Sequence, residues 1–172
     1  MTIAEILNNT RLKQAEKAAA LSQLLLEEKS CLTHLIRFAG TAKDAVKATC
    51  IESMEYASKQ NPRLINTAAF GFVVANLAAE APRVKWESAR VVGNTAHLFK
   101  ENLADAIAHL LQNTRHEGTV VRWSAAFALG EIIKLKTIHN KTLISTAERL
   151  VTREEKNSIR KIYLSALKKA AE

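Results

Sequence analysis

From Val121 onward the small and apolar residues fall at Ala125, Ala128, Leu129, Ile132 and Leu135, steps of three and four that align them on one helix face. The same spacing predicts amphipathic helices over 28–39, 63–79, 101–115 and 141–151. Pro62 suits the first turn of the second of these, with Asn61 as its cap, and Glu154 and Glu155 suit the first turn of a last helix. No segment alternates in the manner of a strand. The longest apolar stretch, 68–79, includes Asn76 and is too short to span a bilayer.

The helical pattern repeats. Val84-Lys85-Trp86-Glu87-Ser88-Ala89 aligns with Val121-Arg122-Trp123-Ser124-Ala125-Ala126 at an offset of 37 residues, and the match continues to Gly93 and Gly130. Stepping 38 residues outward reaches Val46-Lys47 on one side and Ile159-Arg160 on the other. Four copies therefore begin with a β-branched residue and a base. Asp44, Pro82, Thr119 and Asn157 stand two residues before those starts, and all four are types that cap or open helices. A fifth, weaker copy begins near Leu12-Lys13. One isolated hairpin cannot bury its apolar face, so stacked neighbours must supply the core and the terminal repeats must close it. The segment 1–9 and the last helix, 159–171, are the expected caps.

The run from Val121 to Ile132 (valine, base, then Ala-Ala-x-Ala-Leu-Gly-x-Ile) resembles the second helix of a HEAT repeat, and in particular the short HEAT-like repeats of phycobilisome lyases. The resemblance extends over nearly the whole chain. It implies an all-α, right-handed α-solenoid of about five HEAT-like helical hairpins, a single domain over 1–172 with repeats near 1–27, 28–60, 61–99, 100–136 and 137–172. It also implies first helices on the convex side and second helices lining the concave side. It implies no activity, because such solenoids host many unrelated roles.

Composition adds a class and a bias. With 48% hydrophobic and 24% charged residues, 5 Gly and 2 Pro, the chain has an ordinary globular balance. Two cysteines, Cys31 and Cys50, make no disulfide scaffold and no ligand-spaced pair, and the N-terminus lacks the basic flank and apolar core of a signal peptide. The expectation is a reduced, cytoplasmic protein with no membrane segment. The net charge of +8 is uneven: residues 116–172 hold 11 basic and 6 acidic side chains, giving +5 there. A basic C-terminal third favours acidic partners.

Candidate chemistry is sparse. There is no HExxH, GxSxG, P-loop or GxGxxG, and Glu52 and Glu55 have the spacing of ordinary helix-surface acids. His116-Glu117 is similar to one of the iron-binding pairs of HEAT-like deoxyhypusine hydroxylase, but a single pair at a loop holds no two-iron site. HEAT-like alkylpurine DNA glycosylases use a cationic concave face with an aspartate; Asp105 falls in a first helix, without the surrounding aromatic motif, and the chain is short for that family. No enzyme activity, metal or cofactor is therefore expected.

Trp86 and Trp123 occupy the same repeat position, as do Arg90 and Phe127, Asn94 and Glu131, and His97 and Lys134. In the HEAT-like pattern these positions vary. Facing a groove, they form a strip suited to a protein or peptide hot spot; facing the next repeat, the tryptophans are structural wedges. The expected function is a non-catalytic scaffold that binds a protein or peptide, acidic ones included, through that strip. The alternative is a nucleic-acid-binding solenoid in which Arg122, Lys134, Arg160, Lys161, Lys168 and Lys169 meet phosphates. The recurring base (Lys47, Lys85, Arg122, Arg160) also has a structural role in HEAT-like repeats, bonding to carbonyls or acids nearby.

Overall fold

The computed structural model describes residues 1–172. Ten α-helices follow one another with no strand between them: α1 (Ile3–Asn8), α2 (Gln14–Glu27), α3 (Cys31–Thr41), α4 (Asp44–Gln60), α5 (Thr67–Asn76), α6 (Pro82–Thr95), α7 (Ala104–Asn113), α8 (Thr119–Lys134), α9 (Asn140–Arg153) and α10 (Asn157–Ala171). Single 3-10 turns at Pro62–Leu64, Ala96–Leu98 and Lys100–Asn102 fill two of the connections. Asp44, Pro82, Thr119 and Asn157 are each the first residue of a helix, where the repeat placed them.

The helix ends follow local chemistry. Thr2 Oγ1 accepts from the Glu5 N–H while the Glu5 carboxylate accepts from the Thr2 N–H at 2.7 Å, a reciprocal cap. Two expected boundaries move. The stretch 63–79 is not one helix: Pro62–Leu64 forms a separate turn, and Asn66, not Asn61, caps α5 by accepting from the Ala69 N–H at 2.9 Å. Glu154 and Glu155 lie before α10 rather than in its first turn, because the Glu154 carboxylate is drawn to Arg122 and the Lys156 N–H.

The even-numbered helices α2, α4, α6, α8 and α10 pack closely in a continuous row, while the odd-numbered helices lie against them and barely touch one another. A layer of tightly apposed helices backed by a splayed layer must curve, with the tight layer inside. α8 is flanked on both sides within the row, so small residues (Ala125, Ala126, Ala128 and Gly130) are buried around much of its girth. One core of 41 buried residues runs from Ile6 on α1 to Ala166 on α10. The fold is an all-α repeat solenoid, and this core is continuous along it. No helix is long and apolar enough to cross a membrane.

Candidate functional site

Successive inner helices interlock at one recurring position. Gly93 of α6 carries the ring of Phe127 from α8, and a Cβ built on Gly93 would sit 2.8 Å from the ring's Cδ1. At the next junction Gly130 of α8 faces Ile162 of α10, whose Cγ2 would lie 3.3 Å from such a Cβ. One repeat earlier the equivalent of Gly93 is Glu55, and the equivalent of Phe127 is Arg90. There a buried ion pair replaces the ring-on-glycine contact, with Arg90 Nη2 3.1 Å from Glu55 Oε1.

This substitution divides the inner face into a polar and an aromatic zone. In the polar zone Glu55 is fully buried (0% exposed), which corrects its reading as a surface acid. Lys59 Nζ (2.7 Å) and Arg90 both reach its Oε1 at ion-pair distance but off the hydrogen-bonding directions, and Oε2 has no partner. Arg90 also approaches Glu87 at 3.4 Å, and Trp86 Nε1 donates to Glu87 Oε1 at 2.8 Å. Burial pushes the Glu87 pKa up, with Glu52 and Glu55 adding to the rise; the Trp86 hydrogen bond and Arg90 only partly oppose it. Glu52, half-buried rather than on the open surface, accepts from Arg83 at 2.6 Å and from the Tyr56 hydroxyl at 2.9 Å. Burial and that hydrogen bond push the Tyr56 hydroxyl up to about 12. Arg83 continues to Gln14 of α2, so one guanidinium ties three inner helices together.

In the aromatic zone the Trp123 ring lies nearly parallel to Phe127, with an interplanar angle of 8° and ring centroids 5.9 Å apart. Trp123 is 38% exposed and Trp86 is half-buried, so neither tryptophan is fully enclosed between repeats. Glu131 pairs with Lys134 one turn along at 2.6 Å. Asn94 donates to Ser58 Oγ at 3.0 Å and to the Glu55 carbonyl, joining α6 to α4. His97 is exposed in the 3-10 turn beyond the end of α6, whereas its repeat counterpart Lys134 still belongs to α8.

Half of the bases considered for phosphate contact are engaged elsewhere. Arg122 donates to the His116 and Glu117 carbonyls and to Glu154, and Lys85 donates to the Leu77 carbonyl and Asn113. Burial raises the Glu154 pKa, but the bonds and charge of Arg122 with the Lys156 N–H more than offset it, leaving the carboxyl below its usual range. Lys134 and Lys169 each pair with an acid on their own segment. Arg160 is half-buried with its Nε enclosed and unpartnered, and Lys161 and Lys168 are exposed on α10. His116 Nδ1 accepts from the Gly118 N–H at 2.9 Å, closing the turn before α8. Asp105 is exposed in the first turn of α7, an outer helix. Cys31 and Cys50 are both buried, and burial pushes the Cys50 thiol up to about 12, far from a nucleophile's range.

No family model and no curated protein matches this sequence. Solved structures do match. The fold is similar to that of a designed armadillo repeat protein, with TM-score 0.71 and 15% identity over 98% of this chain and 80% of that one. It is equally similar to computationally designed armadillo repeat proteins for modular peptide recognition, with TM-score 0.71 and 16% identity over 97% and 80%. A third neighbour is a designed armadillo repeat protein in complex with the peptide (KR)4, with TM-score 0.69 and 15% identity over 98% and 86%. At such identities the likeness establishes the helical-repeat fold.

Proposed function

We propose that the protein is a non-catalytic scaffold that binds a peptide or an extended protein segment along its inner face. Trp86, Arg90, Asn94, His97, Trp123, Phe127, Glu131 and Lys134 form the contact strip, and the repeats are of the HEAT-like kind that the Val-base-x-x-Ala motif suggests. The observation that carries this reading is the Trp123–Phe127 stack. Phe127 is seated on a glycine, so the second ring is held flat and presented to solvent before any partner arrives. A rigid, exposed aromatic platform offers large contact area with little further loss of side-chain freedom. That peptide-recognising designs share the fold supports the same reading.

Charge is a weaker determinant in this proposal. Arg83, Arg90 and Lys59 are matched by Glu52, Glu55 and Glu87 on the same face, so aromatic and backbone contacts dominate selection there.

The chain's 2 tryptophans both belong to the strip, so intrinsic fluorescence reports on it without a label. Peptides selected from a displayed random library should shift that fluorescence and lose about tenfold or more in affinity for Trp123→Ala, as hot-spot aromatics do. Failure to enrich any peptide, or selected peptides that bind Trp123→Ala as tightly as the wild type, would sink the proposal.

A further inference from the structure

Curvature opens the outer layer, and one of the resulting clefts has an unusual lining. Between the C-terminal halves of α7 and α9 lies a cleft of about 560 Å³ whose charged lining residues are Arg115, Arg149 and Arg153, with no carboxylate among them. Leu111 and Leu150 form its apolar part, and Thr114 and Thr146 contribute hydroxyls. None of the protein's seven ion pairs involves any of the three arginines. Arg149 and Arg153 are four residues apart on α9 and so share a face, while Arg115 enters from the turn after α7.

Structural duty accounts for little of this charge. Arg153 Nη2 donates to the Thr114 carbonyl at 3.0 Å and to Thr114 Oγ1 at 3.1 Å, and Arg149 Nη2 donates to Thr146 Oγ1 at 3.2 Å. One repeat earlier the neutral Asn113 performs the task of Arg153, donating to the Leu77 carbonyl at 3.0 Å. In that earlier interval Ala78 and His109 stand where Arg115 and Arg149 stand here. The cleft between α5 and the N-terminal half of α7, which His109 also lines, has Phe70, Phe99, Glu101 and Asp105 around it. The C-terminal dipoles of α7 and α9 welcome cations, but together they supply only about one negative charge against three positive ones. Glu117, Glu154 and Glu155 line the adjoining cavity, which Arg115 and Arg153 also border; Glu154 is engaged there by Arg122, and none of the three acids forms an ion pair with Arg115 or Arg153.

Three guanidiniums lining one cleft, none of them held in an ion pair, suit a compact dianion, because each fork can meet two oxygens of a phosphoryl group. We infer that this outer cleft binds a phosphoryl dianion through Arg115, Arg149 and Arg153, with Leu111 and Leu150 lying against any organic group that carries it. The site is on the opposite face from the proposed peptide strip and stands independently of it.

Two probes, inorganic phosphate and phenyl phosphate, would be titrated into the protein while the arginine Nε–Hε resonances are followed by NMR. Sodium chloride at matched ionic strength is the blank. Saturable shifts confined to the cleft are expected, weakened about tenfold or more by Arg115→Gln or Arg149→Gln. Both side chains are at the surface and neither bonds the backbone, so these variants should stay folded. Lys168→Gln, which removes the same charge from α10, should bind as the wild type does. Tighter binding of phenyl phosphate identifies an organic phosphomonoester as the ligand class, whereas equal binding identifies free phosphate. Equal losses in Lys168→Gln and the cleft variants, unchanged binding in the cleft variants, or shifts no larger than those with chloride would overturn the inference.

Discussion

Phe127 of α8 rests its ring on Gly93 of α6, and the ring leaves no room there for even a methyl group. Gly93→Ala must therefore push Phe127 away and disturb the Trp123 stack. A loss of about 1–3 kcal/mol is expected, the usual range for overpacking a filled contact. Urea unfolding would measure it, and the Trp123 emission should shift to longer wavelength. Gly130→Ala meets only Ile162 at 3.3 Å and Ala166 at 3.5 Å, so its cost should be clearly smaller.

Two other positions have the wrong residue for stability. Gly71 lies inside α5, and a methyl group added there would meet nothing within 4 Å, so Gly71→Ala should stabilise the protein by roughly 0.5–1 kcal/mol. Lys136, just past α8, holds a φ of 53°, a left-handed conformation that glycine adopts without steric cost. Lys136→Gly should raise the thermal midpoint, whereas Lys136→Val should lower it.

The Arg90–Glu55 pair predicts strong coupling. Arg90→Phe alone leaves a buried carboxylate with only Lys59, at a cost of about 3 kcal/mol. Adding Glu55→Gly rebuilds the junction in the form that Phe127 and Gly93 use, and should recover most of that loss minus about 1 kcal/mol for a glycine inside a helix. Equilibrium unfolding of the two single variants and the double variant closes the cycle. Additive losses would show that the two side chains do not act as a pair.

Glu87 gives the protein a pH dependence of definite sign. Burial holds its folded pKa above the ordinary carboxyl value of 4.5, so between 4.5 and the raised value the folded state binds more protons than the unfolded one. Stability from this group therefore falls as pH rises through that window. Glu87→Gln keeps an acceptor for the Trp86 N–H and should remove that part of the slope. Urea midpoints measured from pH 4.5 to neutrality for the two proteins would show the difference.

The inner helices were legible because their signals are local and repeated. A β-branched residue and a base, two places after Asp44, Pro82, Thr119 or Asn157, recur where α4, α6, α8 and α10 begin. The outer helices were less so, since the apolar spacing runs on through Leu64 and Ile65 although the backbone is not helical at Ile65 and Asn66, and only the Asn66 side chain's bond to Ala69 decides where α5 starts. The polar zone was illegible for a different reason. Glu52 and Glu55 have the spacing of a solvated face, and their burial depends on Arg83 and Arg90, which are more than thirty residues away. The repeat alignment did hold the clue, because Glu55 falls in register with Gly93 and Gly130. The arginine cleft was hidden likewise, since Arg115 and Arg149 meet only when two splayed helices are placed side by side.

Solenoid helices with similar apolar faces can in principle stack in more than one order, and the Glu55 seam bears on that freedom. If α4 met α8 instead of α6, its carboxylate would be enclosed against Phe127 with no guanidinium in reach, at a cost of several kcal/mol. The seam thus acts as an address within the chain, satisfied by one succession of repeats and penalising shuffled ones. A protein carrying both Arg90→Phe and Glu55→Gly should then refold with more domain-swapped or misordered species than the wild type, even where its native stability is nearly intact. Size-exclusion chromatography of refolded material would reveal them, and a wild-type-like monomer yield would show that chain order is enforced elsewhere.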